Sequence, residues 1–168
     1  MNKKTTSGLT LVELVITIAV AGILAGLAIP SFRDMIQNNR MASHANELVS
    51  SVNLARNEAV KRGVQVKIKA AGTATDNEWG KGWKVWVDDD GDGTINGTEV
   101  VLRDVGEFNS SIELDSTGNT SLFVYQADGS LGAAQTLRLC DSTKSGEKGR
   151  EITIAPSGRV SVSDYTCS

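Results

Sequence analysis

The sequence predicts an α+β protein in which one long N-terminal helix packs on an antiparallel β-sheet domain. Three observations carry that prediction. Residues 9–29 are an unbroken apolar run, and an apolar stripe at helical spacing follows it. From Val64 onward, short alternating segments separated by Gly, Asp, Asn and Ser turns replace any long helical period. Composition narrows the chemistry. The chain is 40% hydrophobic and 22% charged, with 2 cysteines and 1 histidine. That excludes a cysteine-rich scaffold, a multi-cysteine zinc site and any mechanism needing two histidines. A net charge of −3 gives no overall basic field for nucleic acid.

The apolar run, LTLVELVITIAVAGILAGLAI, contains no Lys, Arg, Pro, Asn or Gln. As a helix it spans about 31 Å at ~1.5 Å per residue, which matches a bilayer core of ~30 Å. A secretory signal peptide has a shorter apolar region followed by a small-residue cleavage site. Here the small residue, Gly8, precedes the run. The leader MNKKTTSG carries Lys3 and Lys4 and no acid, so the positive-inside bias keeps it cytoplasmic and sends everything after Ile29 across the membrane.

Glu13 is the anomaly within the run. A carboxylate at the bilayer centre costs roughly 2.5–3.5 kcal/mol, and somewhat less near an interface. Either it snorkels to the interface or it awaits a cation, and the segment contains none. Cleavage after Gly8 would create one, the α-amino group of Leu9. A helix cannot easily fold its own terminus back onto that carboxylate, whereas a neighbouring subunit could supply the amine. The pattern therefore points to a subunit that packs against copies or relatives of itself.

A basic leader ending in Gly8, then Leu9-Thr10-Leu11-Val12-Glu13 and an unbroken apolar helix, resembles the class III prepilin N-terminus of type IV pilins and type II secretion pseudopilins. The resemblance implies that prepilin peptidase cuts between Gly8 and Leu9 and methylates the new N-terminus. It implies too that Glu13 pairs with the terminus of an adjacent subunit during assembly. Leu9 departs from the phenylalanine usual at the first mature position. Gly22 and Pro30 match the helix-softening glycine and proline of type IV pilins, which favours a pilus over a secretion system.

The resulting expectation is four segments: leader peptide 1–8, transmembrane and assembly helix 9–29, amphipathic continuation of the stem 30–62, and antiparallel β globular part 63–168. In the continuation, Ala45, Leu48, Val49, Val52, Ala55 and Ala59 recur at three- and four-residue steps. Lys61 and Arg62 complement the helix dipole, and Gly63 is placed to end the helix. Pro30 removes a backbone bond, so a bend is expected there. His44 lies on this helix with no metal-binding cluster beside it and reads as a surface residue. The strands expected are 64–70, 83–87, 99–105, 111–114, 121–126, 136–140, 151–155 and 159–163, forming a sheet that covers the stem.

The run from Trp79 to Arg103, WGKGWKVWVDDDGDGTINGTEVVLR, resembles the tryptophan-glycine-tryptophan strand and acidic hairpin of the GspH/FimT family of minor pilins and pseudopilins. Cys140 after a strand, Gly149-Arg150, Gly158-Arg159 and a terminal Cys167 fit the same family. By the topology above, both cysteines lie in an oxidising compartment and read as one disulfide, with two free thiols as the alternative. Closing that loop stabilises by ~3–4 kcal/mol on the chain-entropy model.

Two further chemistries are written in the globular part. Asp88, Asp90, Asp92, Thr94 and Glu99 stand at the calcium-ligand positions of D-x-D-x-D-G-x5-E, with Gly93 at the sharp bend. A bound Ca2+ ion and a plain acidic turn are both open, since Asp-Gly steps also make hairpin turns and the flanks are strands. Some FimT-like pilins bind DNA through a C-terminal Gly-Arg-x-Arg motif. Here Gly158-Arg159-Val160-Ser161 keeps the first arginine and lacks the second, so a solvated turn competes with a DNA contact at Arg159. No nucleophile elbow or phosphate loop appears in the sequence, and an enzyme is not expected.

The resemblance therefore implies a structural subunit that requires no cofactor. It would sit single-pass in the bacterial inner membrane with a periplasmic domain, then enter a pilus or pseudopilus. Its partners would be prepilin peptidase and other minor and major pilins or pseudopilins. The first reading is a minor type IV pilin that primes or caps pilus assembly for twitching motility or adhesion. A type II secretion minor pseudopilin is the second, and a DNA-binding receptor at the pilus tip the third.

Overall fold

The computed structural model describes residues 10–72, 78–97, 99–108, 111–143 and 146–168. Gly8 and Leu9, the expected processing site, lie outside the described residues. Among the described residues, one helix, α1 (Leu11–Arg62), is followed by eight strands: β1 (Gln65–Ala70), β2 (Trp83–Asp88), β3 (Val101–Val105), β4 (Ile112–Ser116), β5 (Leu122–Tyr125), β6 (Gln135–Asp141), β7 (Lys148–Ile154) and β8 (Val160–Thr166). The chain divides into two compact units, Met1–Asn39 and Arg40–Ser168.

In the first unit, Leu11–Ile29 is long and apolar enough to cross a membrane, with mean hydropathy 2.5 and none of it buried. Leu11, Ile16, Ile23, Leu27 and Phe32 each expose more than half of their surface. Helix α1 is continuous in backbone through position 30. It closes as its sequence dictates. Glu58 takes charge-assisted bonds from Arg62 (2.6 Å) and Lys61 (3.2 Å), and Gly63, at φ +70°, donates its N–H to Ala59 O.

In the second unit, the helical stripe is buried as its spacing requires. Leu48, Val52, Ala55 and Ala59 are fully buried, while Val49 is only partly covered. Ser51, outside that apolar stripe, is buried as well. Its Oγ donates to Glu47 O at 2.9 Å and accepts from Arg103 of β3 at 3.2 Å.

All eight expected strands form, but they make two sheets rather than one. The first has the order β3-β2-β1-β5 and the second β4-β6-β7-β8, all pairs antiparallel. The chain leaves the first sheet after β3, makes β4 in the second, and returns for β5 beside β1. Alternation marks a strand but carries no information on which neighbour it pairs with, so this exchange is invisible in the sequence.

Inward-facing Val66, Ile68, Val85, Val87 and Phe123 of the first sheet share one core with Leu114, Leu137, Leu139, Ile152 and Ile154 of the second. The core also takes the apolar face of α1. Trp79 is stacked on Phe123 (4.3 Å between ring centroids), and its indole N–H donates to Thr120 O at 2.9 Å. Trp83 meets Phe108 edge-on at 5.5 Å.

Candidate functional site

At the N-terminal end of α1, the structure supplies a partner for Glu13 that the search for a cation missed. Glu13 Oε2 accepts from both the backbone N–H and the Oγ1 of Thr10, each at 2.9 Å. Thr10 Oγ1 in turn accepts from the Glu13 N–H at 3.2 Å. This reciprocal pairing is a capping box, and its signal, Thr10-x-x-Glu13, was present in the sequence. It lets the carboxylate sit near the end of an apolar helix without a counter-charge.

At the other end of the chain, Cys140 on β6 and Cys167 form a disulfide with a Cα–Cα distance of 5.9 Å. The free-thiol alternative is thereby set aside. Gly149 on β7 leaves the room for it: a Cβ there would collide with Cys167 Sγ and the Leu139 carbonyl. The bridge ties the segment after β8 to β6 across β7.

The acidic hairpin between β2 and β3 brings together the residues that sequence reading singled out. One carboxylate oxygen from each of Asp88, Asp90, Asp92 and Glu99 lies within 4.8 Å of the others. The oxygens are held by the loop itself. Asp88 Oδ1 accepts from the Gly93 N–H (3.3 Å), Asp90 from the Asp92 N–H (3.1 Å) and Asn96 Nδ2 (2.7 Å), and Glu99 Oε2 from the Asn96 N–H (3.2 Å). Thr94 donates its N–H (2.7 Å) and Oγ1 to Asp92. Those Thr94 bonds, backbone first, hold the Asp92 carboxyl below its usual range, with Lys67 adding a smaller pull. Glu99 moves the other way: desolvation raises it, the Asn96 bond opposes the rise, and the neighbouring Asp90 and Asp88 carboxylates add to it.

Lys67 is the participant that sequence reading did not see. It stands on the outer face of β1, opposite Trp86, and its ammonium is ion-paired with Asp88 Oδ2. Both side chains are buried, Lys67 at 7% exposure and Asp88 at 0%. In VQVKIKA the residue looks like any outward lysine of an alternating strand; nothing local predicts that the hairpin folds over it.

Arg159 is exposed, as a surface turn requires. The glycine before it has a structural cause. Gly158 has φ +77°, and a Cβ there would strike the Gly129 carbonyl and Arg56 of α1. Arg56 Nε donates to that same carbonyl at 3.3 Å. Elsewhere on the second sheet, Arg138 pairs with Glu151 (3.1 Å) and lies over the Tyr165 ring, and Arg150 pairs with Asp164 (2.6 Å). Carboxylates thus offset Arg138 and Arg150, two of the cations on that sheet.

His44 corrects an expectation. It is half-buried rather than on the surface, with its ring centroid 3.9 Å from that of Phe108. Burial lowers its pKa, Glu47 opposes that shift, and Arg40 adds to it.

Comparison with known proteins agrees with this architecture. The family described as type II transport protein GspH matches residues 44–158, and the prokaryotic N-terminal methylation motif matches residues 3–29. Two fimbrial proteins of Pseudomonas aeruginosa are each 30% identical over 104 residues, which is 55% of this chain. The chain spans 66% of the length of those relatives. A crystal structure of the Pseudomonas aeruginosa type IV minor pilin FimU is 27% identical, with a TM-score of 0.60 over 73% of this chain and 91% of FimU. The minor pseudopilin EpsH of the Vibrio cholerae type 2 secretion system shares the fold at a TM-score of 0.56. That match is 11% identical and covers 74% of this chain and 96% of EpsH.

Proposed function

The chain belongs to the GspH family of minor pilins and pseudopilins, and from that premise we propose that it is a minor type IV pilin that helps to prime or cap a pilus. The observation that carries the proposal is the joining of two parts in one chain. An N-terminal methylation motif with Glu13 precedes a GspH-type domain whose fold and sequence both resemble a type IV minor pilin. Such a subunit is structural and needs no cofactor. Pro30 and the fimbrial relatives favour the pilus over the secretion pseudopilus.

The chemistry of assembly follows from the N-terminal residues. Prepilin peptidase would cut between Gly8 and Leu9 and methylate Leu9, leaving residues 9–29 held in the inner membrane. The α-amine of a neighbouring pilin would then displace the neutral Thr10 donors from Glu13. The full positive charge of an amine attracts the carboxylate more strongly than the uncharged Thr10 donors do, so transfer to the amine is downhill once subunits meet in the low dielectric of the bilayer. The exposed apolar residues of α1 before Asn39 would be covered by the same packing.

The test is intact mass and N-terminal sequencing of the protein from sheared surface filaments. A chain beginning at methylated Leu9, two hydrogens lighter for the disulfide, is expected. Processed chain found only in the membrane fraction would move the reading to a secretion pseudopilin. A chain still beginning at Met1 would overturn the pilin reading. Glu13→Val should be cleaved normally yet be missing from filaments; wild-type incorporation of that variant also overturns it.

A further inference from the structure

The acidic hairpin carries the ligand pattern of a calcium loop but a geometry that already contains a cation. Four carboxylates converge within 4.8 Å, an arrangement in which mutual repulsion must be offset by positive charge. In a loop of this type, the first aspartate is a ligand of the ion and the glycine makes the sharp turn. Asp88 Oδ1 accepts from the Gly93 N–H. Its other oxygen, Oδ2, is taken by the Lys67 ammonium. That ammonium reaches the bend: its Nζ lies 3.2 Å from where a Cβ on Gly93 would stand. Lys67 and Asp88 are both almost wholly buried, so the pair is part of the folded loop rather than a surface contact.

We infer that the Lys67 ammonium occupies the seat that a calcium ion would take in this hairpin, so the loop closes without metal and becomes a calcium site only when Lys67 is removed. A tethered ammonium is held at the carboxylates by the β1 strand, so it meets them within one molecule and a free ion must compete with it. A divalent ion and an ammonium cannot share the seat, because like charges a few ångströms apart in a buried site repel strongly. Calcium would therefore have to expel Lys67 from beneath the hairpin into solvent. This inference is independent of the pilus assignment, since it concerns only the chain's own loop.

The experiment uses the full chain in detergent micelles. Wild-type protein should melt at the same temperature in chelator and in millimolar calcium. It should also give no terbium luminescence sensitised by Trp86, the cross-strand partner of Lys67. An amine-reactive reagent should label exposed Lys69 and Lys84 but leave Lys67 unlabelled, with or without calcium. Lys67→Met keeps the apolar stem and deletes the charge. In chelator it should melt roughly 10 °C lower, as a buried carboxylate stripped of its partner requires. Calcium should restore the loss and terbium should now luminesce, and adding Glu99→Gln should abolish both responses.

Calcium binding by the wild type, calcium-dependent labelling of Lys67, or a folded Lys67→Met protein indifferent to calcium overturns the inference. Should Lys67→Met not fold, the wild-type labelling decides. Lys67 labelled as readily as Lys69 overturns the inference, and protection in both buffers upholds it.

Discussion

Thr10 and Glu13 show how much one pair of side chains decides. A lone carboxylate in an apolar helix would be costly to hold in a bilayer, and the capping box offsets part of that cost inside a single subunit. Thr10→Val deletes the Oγ1 bond and leaves only the backbone donor, a loss of about 1 kcal/mol for a helix cap. Cleavage after Gly8 should be unchanged and the membrane pool should fall below both wild type and Glu13→Val, while the chain that remains still enters sheared filaments, because a neighbour's amine replaces Thr10 there. Quantitative immunoblotting of the two fractions checks this. His44 supports a prediction in pH. Its folded-state pKa lies below the unfolded value of about 6.5, so the folded state resists protonation. Its stability contribution is therefore intact above about pH 6.5 and declines as pH falls from there toward the depressed folded-state pKa. Melting temperature should drop between pH 7.5 and 5.5, and His44→Asn should make that drop smaller. An unchanged pH profile in the variant would remove the role of burial against Phe108.

The elements were legible to different depths. Helix α1 could be read almost completely, because period, dipole charges and the stop at Gly63 are local properties that tertiary packing only ratifies. The eight strands could be read too, to within two or three residues at most ends. Their assignment to two sheets could not, since pairing joins residues far apart in the chain, as Lys67 joins Val124 and Arg138 joins Asp115. The disulfide belongs to this scale because it fastens the segment after β8 to β6 across β7. Strand β8 has β7 as its neighbour in the sheet and is exposed along much of its length, so little else holds it. With a sequence separation of 27, reduction or Cys140→Ser should cost about 3–4 kcal/mol. Hydrogen exchange should rise first in β8; uniform exchange across both sheets would contradict this placement.

At the scale of the whole molecule, the chain joins two kinds of surface, an apolar stem long enough to cross a membrane and a two-sheet domain with its own core. Loss of Glu13→Val from filaments, with an intact and normally folded globular part, tests that division of labour directly. A Glu13→Val chain whose β domain melts differently would show that the two parts are not independent. The sequence by itself determined the apolar stem, the Gly8–Leu9 motif, the stripe from Ala45 to Ala59, the strand positions and the family, because each rests on residues close together in the chain. Only the tertiary structure decided the exchange between two sheets, the burial of His44 on Phe108, the turn that requires Gly158 and the Lys67 ammonium within the acidic hairpin. Each of these depends on contact between segments tens of residues apart. Local propensity and periodicity carry no record of such contacts, and burial and charge at those sites follow from what packing brings within a few ångströms.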